Sequence, residues 1–275
     1  MHADQQGDLQ SWRAQMWIEF ALIGLVAGYL AGFLGIGGGF VVVPALAWLL
    51  LKDTSTAPWA IHIAIATSLA TMLVTSMSSL LAHHRKGAIR WPLVRSMAAG
   101  LMLGAVMGAV IADFLPAESL AAIFGVFAIL VGLQFILARQ PMAEKPLPNL
   151  PGLLGTGGII GTISSLIGIG GGAMTVPWLL WHGVRAQNAI ATSAACGYPI
   201  AIAGTLSFVL LGQASNLSTG PLGYVHLPAF IGIAATSALA APLGVATVHR
   251  LSPKSIKRVF GVFLIFVGLR MLTGF

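Results

Sequence analysis

Apolar residues run almost without interruption along this chain, and the polar positions gather in short breaks between them. No Asp, Glu, Lys or Arg occurs in residues 20 to 51, 54 to 84, 119 to 138, 146 to 184 or 186 to 249. A helix needs only about 20 apolar residues to cross a bilayer, so this pattern predicts a chain that folds back and forth through a membrane. Five apolar segments are read at about 17 to 34, 40 to 51, 59 to 82, 93 to 115 and 118 to 138. Five more follow at about 152 to 168, 173 to 183, 187 to 212, 226 to 248 and 255 to 274. Between the two sets, Arg139 to Pro151 holds Glu144, Lys145 and four prolines, the composition of a solvated linker.

The second and seventh segments, of about 12 and 11 residues, are too short to cross alone at about 1.5 Å per residue. Each is preceded by a glycine run: Gly35-Ile36-Gly37-Gly38-Gly39 in the first case and Gly168-Ile169-Gly170-Gly171-Gly172 in the second, with Pro44 and Pro177 at the same distance beyond. Glycine in a helix interior costs about 1 kcal/mol relative to alanine, so these runs predict irregular backbone. Within a membrane such backbone persists only where it is buried in protein or lines a cavity. Each run is therefore expected to join a longer segment to a short one that turns back.

The two sets are copies. Gly24, Gly28 and Gly32 match Gly157, Gly161 and Ser165 at an offset of 133, which also superposes the glycine runs and the prolines. Ala64-Ile65-Ala66-Thr67-Ser68 recurs as Ala189-Ile190-Ala191-Thr192-Ser193, and Gly125-Val126-Phe127 and Val131-Gly132-Leu133 recur as Gly261-Val262-Phe263 and Val267-Gly268-Leu269. Three blocks in one order are an internal repeat. The chain divides into an N-terminal tail (1–16), a first transmembrane repeat (17–138), a cytoplasmic linker (139–151) and a second transmembrane repeat (152–275).

Charge gives the orientation. Short cytoplasmic loops collect Lys and Arg. In the first repeat the loop after the third segment holds Arg85, Lys86, Arg90 and Arg95, and the next turn holds Asp113 and Glu118. In the second repeat the corresponding loop, Gly212 to His226, is uncharged, and the next turn holds Arg250, Lys254, Lys257 and Arg258. Equivalent loops thus lie on opposite sides, and the repeats are inverted. Eleven of the fourteen Lys and Arg then fall inside, with Arg13, Lys52 and Arg270 outside, and both termini are extracytoplasmic. Fold class follows: an all-α polytopic membrane protein of two inverted repeats, about five helical segments each, with glycine-rich broken helices meeting near the midplane. Only 8% of residues are charged, and the formal charge of +7 lies in loops, so it reads as topogenic charge and not as a nucleic-acid surface. No basic, short apolar, small-residue leader precedes the first segment, which is expected to remain. The single cysteine, Cys196, allows no internal disulfide and no cysteine metal cluster.

Glycine-interrupted segments at equivalent places of two inverted repeats point to a transporter's substrate site. The expected substrate-binding residues are Gly35, Gly37, Gly38 and Gly39 with Gly168, Gly170, Gly171 and Gly172, joined by Thr67, Ser68 and Thr71 of the third segment and Thr192, Ser193 and Cys196 of the eighth. Hydroxyls on membrane helices also bond to their own backbone or to a neighbouring helix, and that alternative stays open for all of them. The spaced stripes Gly24, Gly28, Gly32 and Gly100, Gly104, Gly108 read instead as helix-packing faces. Other chemistry is disfavoured. Gly168 to Ala173 formally fits G-x-G-x-x-A, but neither a preceding strand nor a following acid accompanies it, and the Gly-Lys-Ser/Thr of a phosphate loop is missing. No H-E-x-x-H occurs, His83 and His84 sit at a helix end, and no acid lies in the apolar core, so neither a metal site nor a cofactor is expected. A neutral lining suits an anion, held by backbone amides at the positive ends of broken helices.

These residues resemble the sulfite exporter TauE/SafE family of membrane permeases. The resemblance rests on both copies of the G-x-G-G-G…V-P block, the A-T-S that opens the following helix, and His83-His84-Arg85-Lys86-Gly87-Ala88-Ile89-Arg90-Trp91. It runs from about residue 18 to the end, and it implies movement of a small sulfur-containing anion, sulfite or an organosulfonate such as sulfoacetate, across a bacterial inner membrane. The expectation is a secondary transporter and not an enzyme. Its partners are membrane lipid, the anion, a coupling ion (proton or sodium) and, for assembly, a second copy in a homodimer; a passive anion channel with the same lining is the alternative, and a membrane-embedded enzyme a more distant one.

Overall fold

The computed structural model describes residues 2–35, 37–52, 56–137, 146–214, 222–247 and 253–274, with backbone alone for 2–14 and 253–257. Ten α-helices follow in chain order: α1 (His2–Leu34), α2 (Gly39–Leu50), α3 (Ala60–Arg85), α4 (Trp91–Phe114), α5 (Ala117–Leu137), α6 (Leu150–Leu166), α7 (Gly172–Trp181), α8 (Ala186–Ala214), α9 (Leu227–Thr247) and α10 (Pro253–Leu272). There is no strand among the described residues. Six helices are long and apolar enough to span a membrane, those of α1, α3, α4, α5, α8 and α9, while α2 has 12 residues, α7 has 10 and α6 has 17. The chain is an all-α polytopic membrane protein.

Two boundaries differ from the sequence reading. Helix α1 starts at His2, so the polar stretch before residue 17 continues the first helix instead of forming a separate tail. Gln, Ala, Leu and Arg there are good helix formers, and Gly7 is the strongest opponent in the stretch. The linker expected at 139–151 falls largely outside the described residues. Its end is a helix start: the Asn149 side chain accepts a hydrogen bond from Gly152 N–H at 3.2 Å, with proline in the first turn.

Helix α3 lies at the centre, 83% of its apolar window being buried against 39% for α5. It packs on α8, α9 and α2, while α8 packs on α3, α4 and α7; α1 pairs with α9, α4 with α6, and α5 with α10. Replacing each helix by the one five places along the chain maps these pairs onto one another. The glycine stripes make the close approaches. Side chains on Gly24, Gly28 and Gly32 would run into the backbone of α9 at Ile233, Ser237 and Ala241, and side chains on Gly100, Gly104 and Gly108 into α6 at Leu154, Gly158 and Thr162. Both pairs are parallel. Gly125 faces Gly268 and Gly132 faces Gly261, so α5 and α10, which carry the same repeated motif, run antiparallel.

The outer surface is apolar. Leu103, Phe114, Leu239 and Val259 are among many large exposed side chains, the face a bilayer solvates. Trp17, Trp48 and Trp59 lie toward one end of the bundle and Trp91 and Trp181 toward the other, as residues of the two interfaces do. Lys52 sits 3.8 Å above the Trp48 ring.

Candidate functional site

The glycine runs stop two helices and start two others. Gly35 N–H bonds the Ala31 carbonyl at 3.0 Å and adopts φ +67°, the left-handed turn that ends a helix; Gly168 does the same for α6 with φ +71°. There the stop is doubled, with Ile169 N–H on the Ser164 carbonyl at 2.9 Å and Gly168 N–H on Ser165 at 3.3 Å. The two breaks then differ. Gly37 has φ +73° and Gly38 φ −77°, whereas in the second copy the positive angle falls on Gly171, at φ +69°. Neither α2 nor α7 carries a side-chain cap on its first turn. The runs meet: Gly37 lies against the backbone of Gly170, and Gly39 against that of Gly168 and Ile169. Ile36 is outside the described residues.

The repeated Thr-Ser pairs tie the centre together. Ser68 Oγ donates to the Gly168 carbonyl at 2.8 Å, and Ser193 Oγ donates to the Gly35 carbonyl at 3.0 Å. Each serine thus binds the helix stop of the opposite half. Thr67 Oγ1 accepts from the His226 N–H at 2.9 Å, and Thr192 Oγ1 accepts from the Arg90 N–H at 3.0 Å, fastening α3 and α8 to the residues before α9 and α4. Thr71 Oγ1 bonds back to the Ser68 carbonyl at 2.7 Å. These hydroxyls are therefore engaged with backbone.

A small cleft with hydroxyl-bearing residues in its wall lies beside the crossing. It is lined by Gly35, Gly37 and Gly170 of the two breaks, by Thr75, Ser76 and Ser79 of α3, and by Ala31, Ser193, Ala194 and Gly197. Its volume is about 10 Å³, the room of a single water molecule. No lining residue is charged. Thr75 Oγ1 is shared with Ser237 Oγ at 2.6 Å and the Thr71 carbonyl at 3.0 Å, but the Ser79 hydroxyl is buried without a hydrogen-bond partner. A buried, unsatisfied hydroxyl costs about 1–3 kcal/mol, which a ligand accepting its hydrogen bond would recover. Helices α2 and α7 begin two residues beyond Gly37 and Gly170, so their positive ends lie at the edge of the cleft.

Of the residues singled out in the sequence, Gly35, Gly37, Gly170 and Ser193 line this cleft. Thr67, Ser68, Thr71, Thr192 and Cys196 are buried but do not line it, and Gly38, Gly39, Gly168, Gly171 and Gly172 lie in the breaks but not on its wall. Gly38 faces the Ala27 side chain of α1, and Gly39 faces the second break, so both are close-packing positions. Thr75, Ser76 and Ser79 belong to the hydroxyl-bearing third segment without being among the expected substrate-binding residues, and Gly197 was not singled out. Ser76 and Ser79 stand about two and three turns beyond the Thr-Ser motif on an α3 face already rich in hydroxyls, a signal present in the sequence; Gly197 carries none. Among the described residues there is no group of three His, Cys, Asp or Glu able to hold a metal ion.

The family model described as "Sulfite exporter TauE/SafE" matches residues 20–271. A Haemophilus influenzae protein named "Probable membrane transporter protein" is 36% identical over 253 residues, 91% of this chain and 96% of the relative. Similarly named proteins of Methanocaldococcus jannaschii and Bacillus subtilis are each 26% identical, covering 91% and 93% of this chain and 93% and 97% of their own length. No solved structure matches the chain.

Proposed function

The chain belongs to the sulfite exporter TauE/SafE family of membrane transporters, and we propose that it is a secondary transporter carrying a small sulfur-containing anion, sulfite or an organosulfonate such as sulfoacetate, across the bacterial inner membrane. The observation that carries this reading is the uncharged hydroxyl cleft where the two helix breaks meet, with the free Ser79 hydroxyl on its wall. Hydroxyl donors and two helix N-termini replace part of an oxyanion's hydration without a fixed counter-charge, so the anion is also released. Arg85, Lys86, Arg90 and Arg95 are assigned to the cytoplasmic face, and both termini to the outside, with the halves as inverted repeats. No nucleotide motif is present, so the driving force is assigned to an ion gradient. A proton or sodium is the coupling ion in this reading, and a homodimer the assembly. The chain is assigned no enzyme chemistry.

A cleft with room for one water supports a site that opens and closes in preference to a standing channel. Binding of sulfite, sulfate, thiosulfate, sulfoacetate and taurine to the purified protein tests the substrate class. Flux of the tightest binder into proteoliposomes tests the mechanism: accumulation against its gradient that an uncoupler abolishes fits the transporter, and flux indifferent to every imposed ion gradient fits the channel.

A further inference from the structure

The repeat allows every wall of the hydroxyl-bearing cleft to be compared with its counterpart across the two-fold relation. Residues of the glycine blocks exchange at an offset of 133, as Gly35 with Gly168, and residues of α3 and α8 at 125, as Ser68 with Ser193. The relation carries Gly35 and Gly37 onto Gly168 and Gly170, and Ser193 onto Ser68. The remaining walls change character. Ala194 becomes Leu69, Gly197 becomes Met72, Thr75 becomes Ile200 and Ser79 becomes Gly204, while Ala31 becomes Ser164. A hydroxyl-bearing cleft on one side of the crossing therefore corresponds to a filled, apolar space on the other, toward the N-terminal end of α3.

That space is closed tightly. The Met72 methyl group sits against both breaks, 2.7 Å from where a side chain on Gly170 would begin and 3.5 Å from the same point on Gly37. Ile200 Cδ1 stands 2.8 Å from the corresponding point on Gly171, and Leu69 Cδ1 3.0 Å from that on Gly204. Behind these side chains are two hydroxyls with nothing to bond. Ser164 Oγ lies 3.1 Å from the Gly171 point and Ser165 Oγ 3.1 Å from the Gly204 point; both residues are completely buried, and neither hydroxyl has a hydrogen-bond partner. Adjacent, unsatisfied serine hydroxyls are out of place in a space that is apolar for packing alone. The equivalent positions of α1 are Ala31 and Gly32, so the repeat itself does not demand them.

We propose that Ser164 and Ser165 form a second position for the oxyanion, on the α3 N-terminal side of the crossing, closed in this structure by a plug of Leu69, Met72 and Ile200. The inference rests on the transport reading above. The hydroxyl cleft of Ser76 and Ser79 holds the anion on one side, the glycine breaks form the crossing, and Ser164 and Ser165 accept it on the other when the plug side chains withdraw. Met72 suits the gate because its unbranched side chain changes shape at low cost.

Accessibility of single cysteines decides this without any substrate, so it stands or falls separately from the identity of the anion. Ser164→Cys and, as a reporter for the cleft, Ser79→Cys are labelled with a small membrane-impermeant thiol reagent applied to either face of oriented vesicles, with the parent, whose Cys196 is buried, giving the background rate. Adding Met72→Ala is expected to raise labelling of Ser164→Cys at least tenfold from the face bearing the α3 N-terminus, and to leave its rate from the other face unchanged. Ile200→Ala serves as the second opening variant should Met72→Ala fail to yield folded protein. A Ser164→Cys rate that stays unchanged with a folded opening variant, or that rises equally from both faces, overturns the proposal. Labelling of Ser79→Cys from the α3 N-terminal face before any plug residue is shortened overturns it as well.

Discussion

The Ser68 hydroxyl of α3 donates to the carbonyl of Gly168, 2.8 Å away, and so completes a helix end that belongs to the other half of the chain. Its counterpart joins Ser193 to Gly35 at 3.0 Å. Removing either hydroxyl strands a buried carbonyl, at a cost of about 1–3 kcal/mol. Ser68→Ala is expected to lower unfolding stability in detergent by that amount while leaving anion affinity per folded molecule unchanged, which a denaturant titration alongside a binding isotherm would check.

The Thr67 and Thr192 oxygens each accept a backbone N–H, from His226 and Arg90. Valine keeps their shape and removes the acceptor. Thr67→Val and Thr192→Val should therefore each cost about 1–3 kcal/mol of stability, and the paired donor should exchange its amide hydrogen faster. A loss of affinity with full stability would put these threonines on the substrate path.

Glycines of the packing stripes should behave as structural positions. Gly28 and Gly104 approach the backbone of Ser237 and Gly158 too closely for any side chain. Gly28→Val and Gly104→Val are expected to abolish folded yield, read as the monodisperse fraction after detergent extraction. Gly155, on the same helix as Gly158 but with nothing within 4 Å, is the control: Gly155→Ala should leave the yield intact and add up to about 1 kcal/mol of helix stability.

The proposed orientation makes a prediction of sidedness. Gly87, in the exposed basic loop before α4, and Glu118, in the first turn of α5 just after it, are at opposite ends of α4. Cysteines at the two should label from opposite faces of intact cells, Glu118→Cys from outside. Ser218, in the uncharged loop that lies outside the described residues, should label with Glu118. Labelling of Gly87→Cys and Ser218→Cys from the same face would contradict inverted halves.

Much of this was legible in the sequence because bilayers impose coarse rules. Unbroken apolar runs marked the helices, and clustered glycines marked the breaks, since only glycine tolerates the φ near +70° seen at Gly35 and Gly168. Roles within the breaks were not legible. Gly37 and Gly38 look alike as letters, yet one lines the cleft and the other packs on Ala27, a distinction set by tertiary contact. The Thr-Ser pairs stood out by recurrence, which marks a shared task without naming it; their partners, Gly168, Gly35, His226 and Arg90, are about a hundred or more residues away. The apolar plug left no trace, because Leu69, Met72 and Ile200 are ordinary in an apolar helix and acquire meaning only opposite Ser164 and Ser165.

The central claim is that the anion binds where the two breaks meet, on the hydroxyls of Ser76 and Ser79. Its most direct test is the affinity of the Ser76→Ala/Ser79→Ala double variant for the tightest-binding anion of the panel, measured per folded molecule. Two neutral hydrogen bonds at about 0.5–1.5 kcal/mol each predict a loss of about five- to more than a hundredfold, with stability unchanged or raised because an unsatisfied hydroxyl is removed. Wild-type affinity in a folded double variant would contradict the account and move the site elsewhere.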